Sequence, residues 1–464
     1  MSLITSISGI RGTIGGLPGV SLSPLDIVRF TSAYAQLIKE QSKRERHTVV
    51  VGRDARLSGD MVRQLVCGTL QACGMGVIDI GLASTPTTEM AVLFTKASGG
   101  IVVTASHNPK EWNALKLLDS NGEFLNAQQG EQILEIIRNN SFTYVAVDQL
   151  GAYSTADFTD KHIEAVINHP LVNKKAIRKA GYHVAVDGIN SVGGFVIPRL
   201  LESLGVVCHK IHCDPTGEFA HNPEPLPGHL KDLSAEVVTK KADLGISVDP
   251  DVDRLALVCE DGSMFGEEYT LVACADYVLE KYAITRPGEA RNTVSNLSST
   301  RALKDVTQWH NGTYSASAVG EVHVVEEMKR TGSIIGGEGN GGVILPSLHY
   351  GRDALAGIAL FLSLLAEKKC SMTELRNRYP KYYLSKNRVE LKKNTDSDAL
   401  FRRVQSAFPD ALVNLSDGLR LDFEKEKKWV SLRKSNTEPI LRIYSEAPLA
   451  EEADELAGKV MKLF

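Results

Sequence analysis

The chain has 464 residues, 43% of them apolar and 23% charged, an ordinary globular balance in a polypeptide too long for one hydrophobic core, so three or four domains are expected. Lys and Arg number 52 against 56 Asp and Glu, a formal net charge of −4, which leaves no overall basic field for nucleic acid or an anionic membrane surface. Seven cysteines without a CxxC pair read as reduced core thiols of a cytoplasmic protein, not as a disulfide framework or structural zinc.

In chain order, MSLITSISGIRG reaches Arg11 before any apolar signal core forms, so no secretory signal is expected. DIVRFTSAYAQLIKE (26–40) is apolar at Ile27, Phe30, Tyr34 and Leu37, the spacing of one helix face. HTVVVG (47–52) and GGIVVTA (99–105) are β-branched strand runs, followed by YHVAVDG (182–188), LGISVD (244–249) and GSIIGG (332–337). FVIPRLLESLG (195–205) closes a helical pattern on glycine. Repeated strand–helix alternation predicts α/β architecture with largely parallel sheets covered on both faces. One unit of strand, helix ending in a glycine, and strand recurs near 62–80, 195–211 and 323–336. ALAGIALFLSLLA (354–366) is too short to span a bilayer and reads as a buried helix. From about 370 the strands turn charged and aromatic, predicting a small α+β domain with an antiparallel sheet, one face wet. The expected boundaries are 1–150, 151–256, 257–369 and 370–464.

Four loops carry chemistry. TASHNPKEWNALKLL (104–118) sets Ser106 in a turn leaving a strand, with His107, Lys110 and Lys116 nearby. An ordinary turn competes with a nucleophile there. DLGISVDPDVDRLALVC (243–259) alternates Asp249, Asp251 and Asp253 between apolar runs, gathering charge that a hard divalent cation would neutralise. A calcium EF-hand is the rival, with Glu260 at position 12, yet its sixth position is Arg254 where glycine is needed; a solvated acidic turn is the plainer alternative. GGEGNGGVILP (336–346) offers Glu338 and Asn340 among five glycines, donors and acceptors suited to sugar hydroxyls or simply a flexible hinge. SLRKSNTEPILRIYSEA (431–447) clusters Arg433, Ser435, Asn436, Thr437 and Arg442, suiting a dianionic phosphate, or else forming a common turn.

The ordered set, with SGIRG (8–12), VVVGRDARLSG (49–59), STPT (84–87) and SAVGEVHVVE (317–326), resembles the α-D-phosphohexomutase family over the whole chain. The resemblance implies three similar α/β domains with mixed, largely parallel sheets plus a C-terminal α+β domain, arranged around a central cleft. It implies a phosphorylated Ser106 that interconverts 6-phospho- and 1-phospho-hexoses through a hexose 1,6-bisphosphate. A magnesium ion would be held by Asp249, Asp251, Asp253 and Ser106, with Lys116 as proton shuttle and Arg254, Arg11 and His107 holding phosphoryl charge. Glu338 and Asn340 would grip sugar hydroxyls, while Arg433, Ser435, Asn436, Thr437 and Arg442 clamp the unreacting phosphate. The sugar loop of many bacterial members ends in histidine; here that position is Gly342, and His323 is the expected substitute. The short chain and GEGNGG loop look like those of family members that supply amino sugars, a resemblance that implies glucosamine 6-phosphate as substrate, with phosphoglucomutase or phosphomannomutase activity as the alternative. The expected partner is a small phosphosugar, with no nucleic acid or membrane, on a cytoplasmic monomer or homodimer. A serine hydrolase built on Ser106 and His107 lacks the G-x-S-x-G elbow. A non-catalytic phosphosugar- or calcium-binding protein leaves the serine loop unexplained.

Overall fold

A computed structural model describes residues 3–6, 9–42, 44–391, 396–434 and 440–464. It forms two compact units, Met1–Thr270 with Gly341–Thr373, and Leu271–Asn340 with Glu374–Phe464.

In the first unit a seven-stranded sheet runs in the spatial order Ile4–Ser6, Gly9–Thr13, Trp112–Leu118, Gly99–Val103, Thr48–Arg53, Gly76–Leu82, Tyr153–Thr155. Its heart is parallel, while Trp112–Leu118 runs antiparallel to both neighbours. The unbroken β-branched runs follow from burial on both faces. Val49, Val51, Ile101 and Val103 pack with Ile27, Phe30, Tyr34, Val62 and Val66, whereas Val50 and Val102 join Ala91, Val92 and Leu118. The helix Pro24–Gln41 begins on a capping box of Ser23 and Asp26 with proline in its first turn. A second sheet has the order Leu255–Cys259, Leu244–Val248, His183–Asp187, Val207–Ile211, the first strand antiparallel and the rest parallel.

The second unit holds parallel strands Thr313–Ser317, Asn292–Asn296 and Ile335–Glu338, with Asn292–Asn296 in the middle. It also holds an antiparallel sheet in the order Tyr383–Glu390, Ile440–Ala447, Lys428–Lys434, Leu419–Phe423, Leu412–Asn414. Leu419, Leu421, Val430, Leu432, Leu441 and Ile443 pack on one face of that sheet with Val404, Leu456 and Val460 from the helices Ser397–Ala407 and Ala450–Met461. The opposite face, expected to be wet, is half covered: Trp429 and Glu446 are fully buried there, and Nε1 of Trp429 and the Arg301 backbone N–H both donate to the Glu446 carboxylate.

Three α/β repeats and an α+β domain therefore account for the described chain. The repeat needs one correction. The segments near 62–80 and 195–211 are the first crossover helices, Gly59–Ala72 and Gly193–Leu204, each between neighbouring parallel strands. The segment near 323–336 is the second crossover of its repeat, Glu321–Thr331 leading into Ile335–Glu338; the matching first crossover is Ala302–Trp309. Left-handed glycines close helices at either position, as Gly205 and Gly332 do, so that signal alone cannot set the phase. Ala354–Lys368 is a helix buried throughout 354–366, and among the described residues no helix is long and apolar enough to cross a membrane.

Candidate active site

The serine loop leaves the strand Gly99–Val103 and is held from beneath by two charged residues. Thr104 Oγ1 donates to Asp54 Oδ2 at 2.6 Å and accepts from the Ser106 N–H at 2.9 Å. The buried Arg56 guanidinium pairs with Asp54 at 3.1 Å and fans out to four loop carbonyls, those of Ser106, Asn108, Pro109 and Trp112, at 2.5 to 3.0 Å. This cradle stabilises a left-handed Ser106, φ +50°, a conformation uncommon outside glycine.

The acidic loop is the tight connection between the antiparallel strands Leu244–Val248 and Leu255–Cys259. Val252 sits at φ +63°, strained for a β-branched residue, and the turn draws Asp249, Asp251 and Asp253 together. All three are fully buried, with carboxylate oxygens within 4.8 Å of one another. Oδ1 of Asp251 and Oδ1 of Asp253 have no hydrogen-bond partner among the described residues. Partnerless anionic oxygens in a buried cluster are what a hard divalent cation satisfies, so the residues fit a magnesium ion. An EF-hand is excluded, because Glu260 turns to the hydroxyl and N–H of Thr373 and the flanks are strands.

Ser106 meets this cluster directly. Its Oγ donates to Asp249 Oδ2 at 2.8 Å and lies 3.2 Å from His107 Nδ1. Arg254 Nη2 is 3.5 Å from His107 Nε2. A guanidinium only donates, so Nε2 accepts and Nδ1 carries the ring proton. His107 therefore donates to Ser106 instead of removing its proton, which rules out the hydrolase arrangement. Burial and then Arg254 keep the imidazole neutral, well below its usual pKa.

Cations surround the acids. Lys116 Nζ donates to Asp251 Oδ2 at 2.7 Å and Asp253 Oδ2 at 3.1 Å. Arg352 Nη2 reaches Asp253 Oδ2 at 2.7 Å, and Thr85 Oγ1 donates to Asp251 Oδ2 at 2.6 Å. Burial pulls the Lys116 ammonium down, but Asp251 and Asp253 outweigh it and hold Lys116 charged. Burial pushes Asp253 up, yet Arg352, Lys116 and Arg254 keep it below the carboxylate range. Asp249 goes the other way, raised by burial and then by Asp253 and Asp251. Arg11 pairs with Ala114 on the strand that carries Lys116 two residues on, so Arg11 and Lys116 share a sheet face.

In the second unit, Glu338 ends the strand Ile335–Glu338. Its Oε1 accepts from Asn296 Nδ2 at 2.8 Å and the Gly320 N–H at 3.2 Å, and Asn340 Nδ2 lies 3.4 Å from Oε2. His323, in the first turn of Glu321–Thr331, faces Glu326 at 3.5 Å. Arg433 Nε donates to Asp417 Oδ1 at 2.9 Å, and Asp417 Oδ2 accepts from the Val319 N–H at 2.9 Å, beside Gly320. Arg433 stands opposite Arg442 across the sheet, and Arg442 stands opposite Arg388. Ser435, Asn436 and Thr437 lie outside the described residues.

Arg56, Thr85, Arg352 and Arg388 were not singled out by sequence reasoning. Arg56 and Thr85 sit in the segments VVVGRDARLSG and STPT, which signalled the family without signalling a role. Nothing around Arg352 or Arg388 in the chain sets either apart.

Comparison with known proteins bears on the fold and the family. Models described as phosphoglucomutase/phosphomannomutase alpha/beta/alpha domains I, II and III and C-terminal domain match residues 3–144, 160–262, 267–383 and 387–463. A phosphoglucomutase/phosphomannomutase from Thermococcus kodakarensis is 33% identical over 457 residues, 97% of either chain. A phosphoglucosamine/phosphogalactosamine mutase from Sulfurisphaera tokodaii is 29% identical over 473 residues, 100% of this chain and 99% of its own. The crystal structure of a phosphoglucomutase/phosphomannomutase family protein from Burkholderia thailandensis superposes with a TM-score of 0.83 at 25% identity, covering 99% of this chain and 97% of that one. A serine loop joined to a buried acidic triad, on a fold matched by all four domain models, defines the class as a phosphohexomutase. The chain belongs to the phosphoglucomutase/phosphomannomutase family of α-D-phosphohexomutases.

Proposed function

We propose that the chain interconverts glucosamine 6-phosphate and glucosamine 1-phosphate through a phosphorylated Ser106 and a hexose 1,6-bisphosphate. The observation that carries the chemistry is the 2.8 Å contact of Ser106 Oγ with Asp249 inside a buried triad that retains two partnerless oxygens. The amino-sugar assignment draws support from relatives such as the Sulfurisphaera tokodaii phosphoglucosamine/phosphogalactosamine mutase.

In the forward half-reaction the P–Oγ bond of phosphorylated Ser106 breaks as a sugar hydroxyl oxygen bonds the phosphorus, and the hydroxyl proton passes to Lys116. The bisphosphate then returns its other phosphoryl group to Oγ, and Lys116 returns the proton to the sugar oxygen that has lost phosphorus. Asp249, Asp251 and Asp253, with an oxygen of the phosphorylated serine, would hold magnesium, which when bound offsets negative charge beside the transferred group. Lys116 accepts a proton only when Asp251 and Asp253 are engaged elsewhere, since their charge otherwise keeps it protonated. His107 Nδ1–H and Arg254 direct donors toward Oγ and the phosphoryl oxygens, and Arg11 adds charge from the neighbouring strand. Glu338 and Asn340 grip ring hydroxyls. Arg433 and Arg442, with Ser435, Asn436 and Thr437, clamp the phosphate that is not reacting. His323 stands in for the histidine that Gly342 replaces.

Phosphoglucomutase/phosphomannomutase activity is the second reading, favoured by the name of the 33% identical Thermococcus relative. Comparing kcat/KM on glucosamine 1-phosphate, glucose 1-phosphate and mannose 1-phosphate, with bisphosphate activator and magnesium, separates the two. The highest value on glucosamine 1-phosphate is expected; a clear preference for either neutral sugar would replace the assignment. Intact-mass analysis tests the shared chemistry: one phosphate on the protein, removable by phosphosugar and missing from Ser106→Ala.

A further inference from the structure

Away from the acidic triad, Asp187 ends the strand His183–Asp187 fully buried. Its Oδ1 accepts from the Ile189 N–H at 2.9 Å, and its Oδ2 faces two imidazoles: Nε2 of His221 at 2.9 Å and Nδ1 of His212 at 3.2 Å. The three potential ligand atoms lie within 4.8 Å of one another.

The His221 tautomer makes this arrangement specific. His221 Nδ1 lies 2.9 Å from the carbonyl oxygen of Asn222, and a carbonyl only accepts, so Nδ1 carries a proton. In the neutral ring the lone pair of Nε2 then points at a carboxylate oxygen 2.9 Å away. Two acceptors at that separation repel unless positive charge stands between them, either a second proton or a metal ion. Backing one imidazole nitrogen with a carbonyl is how metal-bound histidines are normally oriented. His212 is held at φ +48°, and its Nε2 lies 3.7 Å from Asp232 Oδ2. Bonds of about 2.0–2.1 Å in a tetrahedral site separate neighbouring donors by about 3.3 Å, close to the 2.9 and 3.2 Å from Asp187 Oδ2 to the two rings. The His212 and His221 side chains are 25% and 15% exposed, which leaves solvent access for a remaining position.

We propose that Asp187, His212 and His221 form a second metal site, for a borderline divalent ion of the zinc class. Two imidazoles and one carboxylate suit such an ion, whereas the three carboxylates near Ser106 suit magnesium. Sequence reasoning sought zinc only among cysteines and passed this cluster by. The ion would fasten the segment 212–224, which reaches the catalytic region at two points. Glu218 Oε2 meets Lys110 Nζ at 2.9 Å, and Glu224 Oε1 meets Arg254 Nη1 at 3.4 Å. Its role is to position this segment, and it touches no reacting atom.

The test uses the full chain stripped with chelator, in excess magnesium, with cobalt(II) as probe. One equivalent of cobalt is expected to give the visible absorption of a four- or five-coordinate ion, to be displaced by zinc, and to be lost in His212→Gln and His221→Gln. Zinc should raise the melting temperature of the stripped wild type more than that of either variant. X-ray absorption of zinc-loaded wild type, which needs no variant to fold, should report two imidazoles and an oxygen ligand. Absorption that survives both substitutions, or a wild type that neither binds cobalt nor responds to zinc, would overturn the proposal and assign the gap to a proton.

Discussion

Arg352 Nη2 donates to Asp253 Oδ2 at 2.7 Å, and Lys116 donates to the same oxygen at 3.1 Å, leaving Oδ1 of Asp253 partnerless among the described residues. Two cations on one edge of a carboxylate and none on the other describe an acid held for a further cation. Replacing Arg352 by alanine leaves a buried anion with less compensation, at a cost of about 3 kcal/mol, the low end for such pairs because Lys116 remains. Magnesium should then restore more stability to Arg352→Ala than it adds to wild type, because the ion meets less competing charge. Thermal melts of both proteins with and without magnesium check this; equal shifts would show that Arg352 and the ion do not share Asp253.

The direction of the His107 hydrogen bonds yields a discriminating pair of substitutions. The amide nitrogen of Asn can take the place of Nδ1, whereas Gln extends toward the position of Nε2. His107→Asn should therefore keep kcat within about tenfold of wild type, while His107→Gln loses about 10²-fold as the donor to Ser106 disappears. Steady-state kinetics decide it, and the reverse order would mean that Nε2 carries the proton.

Stability has its own pH signature. His349 is buried, with Nδ1 3.3 Å from Glu89 Oε2 and Nε2 3.3 Å from Asp353 Oδ2, and Asp353 also faces His162 at 3.0 Å. Burial lowers the His349 pKa, but Asp353 and Glu89 prevail and raise it to about 10. A histidine raised in the folded state contributes stability that is complete below its unfolded value of about 6.5 and lost as pH climbs through about 10. The difference in unfolding free energy between wild type and His349→Gln should therefore shrink from pH 6.5 to pH 10. Urea denaturation at the two values measures it, and a constant difference would mean that the ring is neutral throughout.

What could be read from the chain divides along a physical line. The β-branched runs at 49–51 and 101–103 announced doubly covered strands because both faces of each are buried. The triad was legible because three carboxylates within five residues repel unless something compensates them. Arg56, Thr85 and Arg352 were not, because the loop carbonyls that Arg56 holds and the carboxylates that Thr85 and Arg352 meet lie 50 or more residues away, and nothing local marks an arginine that will be buried. The phase of the third repeat failed for a related reason: helix-closing glycines report a local conformation and carry no information on which strands pair.

Three arginines stand side by side on the C-terminal sheet. The registers Arg388↔Arg442 and Arg442↔Arg433 place them on adjacent strands and on the sheet face opposite the one packed by Leu441 and Leu432. Cross-strand neighbours on one face are about 5 Å apart, and like charges at that distance destabilise a sheet. Asp417 offsets Arg433; an anionic ligand would offset the whole row. Arg433→Ala and Arg442→Ala should each raise KM with little change in kcat, by about 1.5–3 kcal/mol, or about 10- to 150-fold. Arg388 is exposed, so Arg388→Ala should cost under about 1 kcal/mol, up to about fivefold. Because ligand-free repulsion is relieved in Arg442→Ala and Arg388→Ala, both should melt at or above the wild-type temperature without phosphosugar and gain less from adding it, whereas Arg433→Ala also loses its pairing with Asp417. Parallel kinetics and melts with glucose 1-phosphate as probe test the row, and unchanged KM in Arg433→Ala and Arg442→Ala would move the phosphate clamp elsewhere.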